Sequence, residues 1–460
     1  MKKDLIIIFT FKYPFEPPTE QFLDDEMRFL AEEDADILLV PSARKRDAAM
    51  YEFPGSRPEV SVCGIERSSR MHETCAGLLT SALHFRYLRD DIRRVIRAKQ
   101  LQGRSSILKG TLKEHIQAGA LYRGFIRQIP GSFFRGRNRI ILYSYWLNPA
   151  AAAEALFKRY LEKRYSVPVA AYARAHGDGD LYLAGRGHCR PCLTLLNEEI
   201  DTVFPISRDG RESLLKDGLL RAETYRLGVK RLSPFLPAAN AVPLVVSCSV
   251  VNDNKRVEKI AEILSRLPRE VRWVHFGGGE KEQAVRSMCE KSLPGTVRWE
   301  LRGWTPHDDI MAFYRKERPD LFLNVSRVEG IPVSIMEAMS CSIPCVATDT
   351  GASGEIVTDG RNGFLLPVEF DADDTARKLN GYLSGSEEDR NLMRRNAFAM
   401  FEQEYDSAVN YAAFARRIVS GGTNARQENA SGEKDTAPGT SLSPEPSIAD
   451  PQEEDTRELL

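Results

Sequence analysis

Each half of this 460-residue chain opens on short, almost uninterrupted apolar runs, and that repetition limits the fold more than any other feature. Residues 5–11 form one run, closed by Tyr13-Pro14, and residues 37–40 form the next, closed by Pro41. Between them Phe22, Met27, Phe29 and Leu30 recur among acidic residues at helical spacing, so the order reads strand, helix, strand. Strands that are apolar throughout, rather than alternating, are covered on both faces, which is the habit of a parallel α/β sheet. The rhythm restarts with a strand at 244–249, a helix at 257–267 and a strand at 271–276. Two starts predict two doubly wound domains, 1–232 and 233–420, joined at the proline-bearing stretch 233–243.

Charge separates further regions. The totals nearly cancel, 64 basic against 65 acidic side chains, which argues against a whole-molecule grip on nucleic acid. Between Arg86 and Arg139, however, fourteen basic side chains face only three acidic ones, with apolar and aromatic residues interleaved at helical spacing. A basic helical insertion at about 85–140 is therefore expected in the first domain, suited to an anionic membrane surface or a diphosphate-bearing acceptor, or simply to water. Residues 421–460 are acidic, rich in Gly, Ser, Thr and Pro and without aromatics, so they read as a disordered tail. No apolar run approaches the roughly 20 residues that cross a bilayer, and the first is too short for a secretory signal. Eight scattered cysteines fit reduced thiols, and the expected setting is cytoplasmic, peripheral at the inner face of the membrane.

The chemistry concentrates between Asp320 and Pro367. A strand at 321–325 leads into a turn at Glu329-Gly330, and Pro332 then takes the first helical position, where its missing N–H costs little. The unpaired amides of such a helix start attract anions. Glu337 lies further along this helix, so at about 1.5 Å per residue the two carboxylates stand roughly 8–12 Å apart. Retaining glycosidases hold theirs at roughly 5–5.5 Å, so Glu329 and Glu337 suit the two ends of an elongated ligand better than direct hydrolysis.

On these residues, Glu329 and Glu337 with the seven positions between them, the chain resembles the retaining glycosyltransferases of the GT-B fold, the family called group 1 or family 4, of the bacterial polysaccharide-biosynthesis type. The resemblance implies two Rossmann-like domains facing a central cleft that holds a UDP- or GDP-sugar. Glu329 would contact donor-sugar hydroxyls, the backbone of Gly330, Ile331, Pro332 and Val333 would face sugar and phosphate, and Glu337 would hold the ribose. Lys255 matches the lysine of the family's phosphate clamp; Val250 stands where many members carry arginine, leaving Arg256 as the substitute. Gly277 matches the strand-end glycine turn, and Leu301 to Trp304 the loop around the base. In the first half, His176 matches a histidine near the reacting centre, Tyr145 a cleft-lining strand, and Thr19 and Glu20 the acceptor loop, whose usual glycine is replaced by Glu16, Pro17 and Pro18.

The function implied is transfer of a sugar, with retention, from a nucleoside diphosphate to a saccharide or lipid-linked saccharide, with no cofactor and no metal. A non-catalytic GT-B scaffold subunit and a sugar-nucleotide epimerase are the alternatives, the first favoured by Val250 and the missing glycine. Other signals are weaker. Cys189 and Cys192 beside His188 lack a second ligand pair and read as structural rather than as zinc ligands, and Asp178-Gly179-Asp180 reads as a polar turn. Neither a Gly-x-Gly-x-x-Gly after the first strand nor a Walker lysine is present, which removes the main support for a dehydrogenase or a P-loop kinase.

Overall fold

The computed structural model describes residues 3–421 except 16–19, 21–22, 43–59, 67–68, 99–102, 178–179, 182–187 and 238–239, and the Asn148 side chain. The expected tail, apart from Gly421, therefore lies outside the described residues, as do Thr19, Asp178 and the Glu16-Pro17-Pro18 segment.

Two six-stranded sheets organise the chain. The first lobe runs β1 (Asp4–Thr10), α1 (Leu23–Leu30), β2 (Ala35–Pro41), β3 (Val60–Val62), α2 (Arg70–Leu83), α3 (Phe85–Arg97), α4 (Arg104–Gln128), β4 (Ile140–Ser144), α5 (Ala152–Tyr165), β5 (Val169–Ala175), α6 (Leu193–Glu199), β6 (Thr202–Pro205) and α7 (Arg208–Lys216). The second runs β7 (Leu244–Cys248), α8 (Val257–Leu264), β8 (Val271–Phe276), α9 (Glu282–Ser292), β9 (Val297–Leu301), α10 (His307–Glu317), β10 (Leu321–Asn324), α11 (Val333–Ser340), β11 (Cys345–Thr348), α12 (Ser353–Ile356), β12 (Gly363–Leu366), α13 (Ala372–Ser384) and α14 (Glu387–Glu404). The last helix, α15 (Ser407–Ser420), follows.

The strand orders are β3-β2-β1-β4-β5-β6 and β12-β11-β10-β7-β8-β9, and all the pairings are parallel. Counted from its own first strand, each sheet has the order 3-2-1-4-5-6. In such sheets the connections diverge between the first and fourth strands, and ligands bind outside the carboxyl ends there. The sites to inspect are thus the ends of β1 and β4, and of β7 and β10. The apolar runs explain the layering: Ile6, Ile7 and Ile8 are wholly buried although their side chains alternate between faces, because helices cover both.

α15 does not stay with the second lobe. Its Phe414 and Ile418 join Ile6, Ile8, Tyr143 and Tyr172 in the cluster behind the first sheet. Beneath Phe414 lies a fully buried ion pair, Arg174 with Glu26 at 3.1 Å, the guanidinium 4.3 Å from the Phe414 ring centre. Tyr143 donates its hydroxyl proton to Glu26 at 2.6 Å. The two crossings between lobes run side by side, where Val229 N–H donates to the Tyr405 carbonyl (2.9 Å) and Ser407 N–H to that of Val229 (3.1 Å).

The basic insertion is helical. α4, 25 residues long, packs across the lobe, and α2 lies on it so closely that a methyl group at Gly77 would stand 2.1 Å from the Ile116 carbonyl oxygen. With Gly77, Thr80 and Ser81 turned inward, α2 points Met71, Leu78, Leu79 and Leu83 at solvent, each 48–72% exposed. A helical apolar stripe is ordinarily a core face; this one is covered by nothing among the described residues.

Candidate functional site

At the β7/β10 switch point two loops meet. Lys255, in the loop after β7, places Nζ 2.5 Å from Oε1 of Glu329 in the loop after β10, and Asn324 donates to the same oxygen at 3.1 Å. Both charged side chains are partly exposed, at 26% and 11%. Glu337, inside α11, instead bonds His307 Nε2 at 2.9 Å, a bond that raises the His307 pKa above its ordinary value. Burial first, then the Glu337 charge, pushes the Cys248 thiol at the end of β7 up to about 12, with Lys255 opposing. Glu329 and Glu337 thus serve different partners. Pro332 caps α11 rather than opening it, so the first helical residue is Val333. The side chains of Ile331 and Pro332 are buried, leaving their backbone as the part that a ligand could meet.

Gly277 brings the neighbouring strand end into this site. Its φ is +119° and a Cβ there would stand 2.0 Å from the Ser249 carbonyl oxygen, so the loops after β7 and β8 touch backbone to backbone. Arg256 is a correction to the sequence reading. It lies behind the site, 2% exposed, donating to the carbonyls of Val325 (2.7 Å) and Val368 (2.8 Å), so its guanidinium already holds the loop after β10 and is not a phosphate ligand. Val250 is 57% exposed and brings no charge. Arg327, exposed two residues before Glu329, is the cation that sequence reading passed over; its position beside Glu329 was the available signal.

The two lobes meet at a pair of glycines. A Cβ on Gly177 would lie 3.0 Å from the Gly330 Cα, and one on Gly330 2.8 Å from the Gly177 Cα. His176 and Glu329 each directly precede these glycines, so the fold brings together residues far apart in sequence. Burial, and then the nearby Arg174 charge, lowers the His176 pKa from 6.5 to about 3. The imidazole is neutral at physiological pH and too weak a base to take a proton in catalysis. It bonds the Tyr145 backbone, while Nε2 has no hydrogen-bond partner. With Nδ1–H donating to that carbonyl, Nε2 carries a lone pair able to accept from a sugar hydroxyl.

Two acceptor-side expectations change. Tyr145 is 1% exposed, its ring centre 4.6 Å from that of His176, and it does not line the cavity described below; its neighbour Trp146 does, with its ring centre 4.8 Å from that of His176. Glu20 is 1% exposed and accepts from the amides of Phe11, Lys12 and Tyr13 and from Trp146 Nε1, at 2.5–3.0 Å. Four donors occupy the carboxylate, which positions the loop after β1 at the edge of the cavity described below.

At the β1/β4 switch point lies a cavity of about 740 Å³, floored by Thr10, Phe11 and Trp146 and walled by α2 and α4. Ile65, Leu112, Ile116 and Leu121 give it apolar walls; Arg70, Lys109, Lys113, Arg123 and Arg127 make its charged groups mostly basic.

A pH dependence follows from the buried histidines. Burial also lowers His275 from 6.5 to about 4. Both rings protonate in the unfolded chain below pH 6.5 but resist it in the fold, so their contribution is complete above pH 6.5 and drains away as pH falls toward 4 and 3. Urea midpoints are expected to be level from pH 8 to 7 and to drop between pH 6.5 and about 5, before most carboxylates titrate. A midpoint unchanged over that interval would contradict neutral buried rings.

The comparisons agree with this geometry. Residues 231–400 match the family model for glycosyl transferases group 1. The putative colanic acid biosynthesis glycosyltransferase WcaL of Escherichia coli (strain K12) is 30% identical over 210 residues, 42% of this chain and 50% of that protein. The O-antigen biosynthesis glycosyltransferase WbnH of Escherichia coli is 26% identical over 242 residues, 51% of this chain and 66% of that one. The matched stretch thus spans about half to two thirds of these relatives' length. Among solved structures, HepE of Anabaena in complex with UDP superposes with a TM-score of 0.58 at 15% identity, covering 91% of this chain and all of that one. The lipopolysaccharide outer core galactosyltransferase WaaB, in its apo form, gives 0.59 at 14%, covering 91% and 99%. The fold is therefore GT-B, and residues 231–400 are similar to the group 1 glycosyl transferases.

Proposed function

We propose that the chain is a retaining glycosyltransferase that moves a sugar from a UDP- or GDP-sugar to a hydroxyl of a saccharide or lipid-linked saccharide in cell-surface polysaccharide biosynthesis. One observation carries the reading: Trp146, which lines the basic, apolar-walled cavity, packs on His176, whose neighbour Gly177 abuts Gly330, the residue after the Glu329 that pairs with Lys255. Acceptor and donor regions on opposite lobes thereby converge on one point.

In this reading the donor diphosphate takes Lys255 from Glu329 and lies over the α11 start, where backbone amides and a cation meet the charge that develops as the anomeric bond breaks. Glu329, released, binds donor-sugar hydroxyls, and Glu337 exchanges His307 for the ribose. His176 accepts from a sugar hydroxyl through Nε2. The acceptor oxygen attacks the face the diphosphate leaves, and a leaving phosphate oxygen receives its proton, so the reaction calls on no metal. UDP in the HepE structure, and the colanic acid and O-antigen biosynthesis in the relatives' names, support the donor and acceptor classes. The test is thermal shift with UDP- and GDP-sugars, then product identification with lipid-linked acceptors. Binding without turnover would favour a scaffold, and donor conversion without acceptor an epimerase.

We also place the working enzyme in the cytoplasm at an anionic membrane face. No helix among the described residues is long and apolar enough to cross a membrane. The outward stripe Met71, Leu78, Leu79 and Leu83, bordered by Arg70, Arg86, Arg89 and Arg93, has the make-up of an interfacial face. Replacing Leu78 and Leu79 by aspartate is expected to leave the melting temperature within experimental error, since both are already exposed, and to lower partition onto anionic vesicles about tenfold or more. Unchanged partition would return the stripe to an ordinary wet surface.

A further inference from the structure

The Cys189-Arg190-Pro191-Cys192 turn lacks a second ligand pair in the sequence; the fold supplies one. Asp91 of α3, His115 of α4 and Cys192 at the start of α6 each offer a ligand atom, all within 4.8 Å of one another, and all three side chains are buried. His115 Nε2 lies 2.7 Å from Asp91 Oδ2, and the Cys192 amide donates to the same oxygen at 2.5 Å. Cys189 is also buried, in a small apolar pocket with Val95 of α3 and Ile107 of α4.

The turn is held in shape from outside. His188 and Cys192, at its two ends, both adopt positive φ (55° and 57°), a strained state for residues other than glycine that persists only where the surroundings enforce it. Asp217 provides part of that enforcement, bonding His188 Nδ1 at 2.8 Å and Arg190 at 2.6 Å. Metal sites are characteristically braced in this way by groups that fix the ligands without touching the ion.

We propose that Asp91, His115 and Cys192 form a structural Zn²⁺ site. Carboxylate, imidazole and thiolate are ligand types of a tetrahedral zinc ion, whose bonds of about 2.0–2.3 Å set ligand atoms roughly 3.3–3.8 Å apart; His115 Nε2 and Asp91 Oδ2, now 2.7 Å apart, would separate slightly to admit it. On binding, the Cys192 thiol releases its proton to solvent, while the imidazole moves its N–H to Nδ1 and offers the Nε2 lone pair to the metal. Arg94, paired with Asp91, tempers the added negative charge. The ion would tie α3 and α4 to α6. Since α4 walls the 740 Å³ cavity with its other face, the tie would fix that cavity's shape. Its role is distinct from donor chemistry, so the proposal stands or falls independently of the transferase reading.

The full chain, produced with zinc in the medium and purified without chelator, is expected to carry one zinc per chain by elemental analysis. His115→Ala and Cys192→Ser are expected to bind at least about tenfold more weakly. The chelator TPEN should lower the melting temperature of the wild type and leave Cys192→Ser unmoved. Cobalt substitution of the wild type, which needs no variant to fold, should give the near-ultraviolet thiolate-to-cobalt charge-transfer band. Folded wild-type protein with neither stoichiometric zinc nor that band overturns the site and leaves Asp91 and His115 as a hydrogen-bonded pair.

Discussion

Glu329→Gln is expected to lower kcat/KM for sugar transfer by about 10²–10³-fold while leaving the affinity for free UDP or GDP equal to or above that of the wild type. The opposite signs come from one contact. In the empty site Lys255 is neutralised by Glu329 at 2.5 Å, so a diphosphate has to displace a carboxylate before it can use the lysine. Glutamine removes that competitor but cannot replace an ionised acceptor for sugar hydroxyls. Lys255→Ala should lose both properties, because Lys255 is the cation held against Glu329, Val250 is neutral and Arg256 is committed to the Val325 and Val368 carbonyls; exposed Arg327 would recover part of the nucleotide affinity at most. Neither change should unfold the protein, since both groups reach solvent. Initial rates with the cognate acceptor and calorimetric titration with the free nucleotide read the two quantities separately. Full transfer activity in both variants would remove this site from the reaction.

Arg174→Met is expected to cost about 3–5 kcal/mol of stability, the largest effect of any single substitution discussed here. Arg174 and Glu26 are 0% and 1% exposed, so removing the cation leaves a carboxylate in the core with, among the described residues, only the Tyr143 hydroxyl as a hydrogen-bond donor. Burial already raises the Glu26 pKa, with Arg174 opposing; without the arginine the carboxyl is expected to take up a proton. Adding Glu26→Gln should therefore restore part of the loss, and a denaturant-based double-mutant cycle measures how much. Equal losses in the single and double variants would show that the lost packing on Phe414, rather than the charge, sets the cost.

These expectations differ in how much of their basis was readable in the chain. The apolar runs located β1, β2, β7, β8 and β10 to within two residues, because strands covered on both faces have no polar position to blur the pattern. The meeting of Lys255 with Glu329 follows from their places after the first and fourth strands of one sheet. The errors share a cause: periodicity reports that a side chain is inside, not what it touches there. Arg256 and Lys255 are adjacent and alike in charge, but a positive φ of 49° at Arg256 turns its chain onto backbone carbonyls instead of the site. Tyr145 and Trp146 follow the end of β4, and there the chain buries the first and leaves the second lining the cavity, so an error of one position exchanged the cleft for the core. Glu20 was read by its loop, whereas its partners are the amides of residues 11–13 and an indole 126 positions away. The outward face of α2 runs against the pattern altogether, since a stripe of leucines ordinarily points inward.

The return of α15 to the first sheet has a consequence for the order in which the molecule is made. The cluster around Ile6, Ile8 and Tyr143 is closed by Phe414 and Ile418, which leave the ribosome after the second lobe has been synthesised. The second sheet, complete by Leu366, can mature while the first still shows one apolar face to solvent or to a chaperone. A chain halted before Ser407 would therefore keep its family-matched portion intact and present as its sticky surface the half that was translated first.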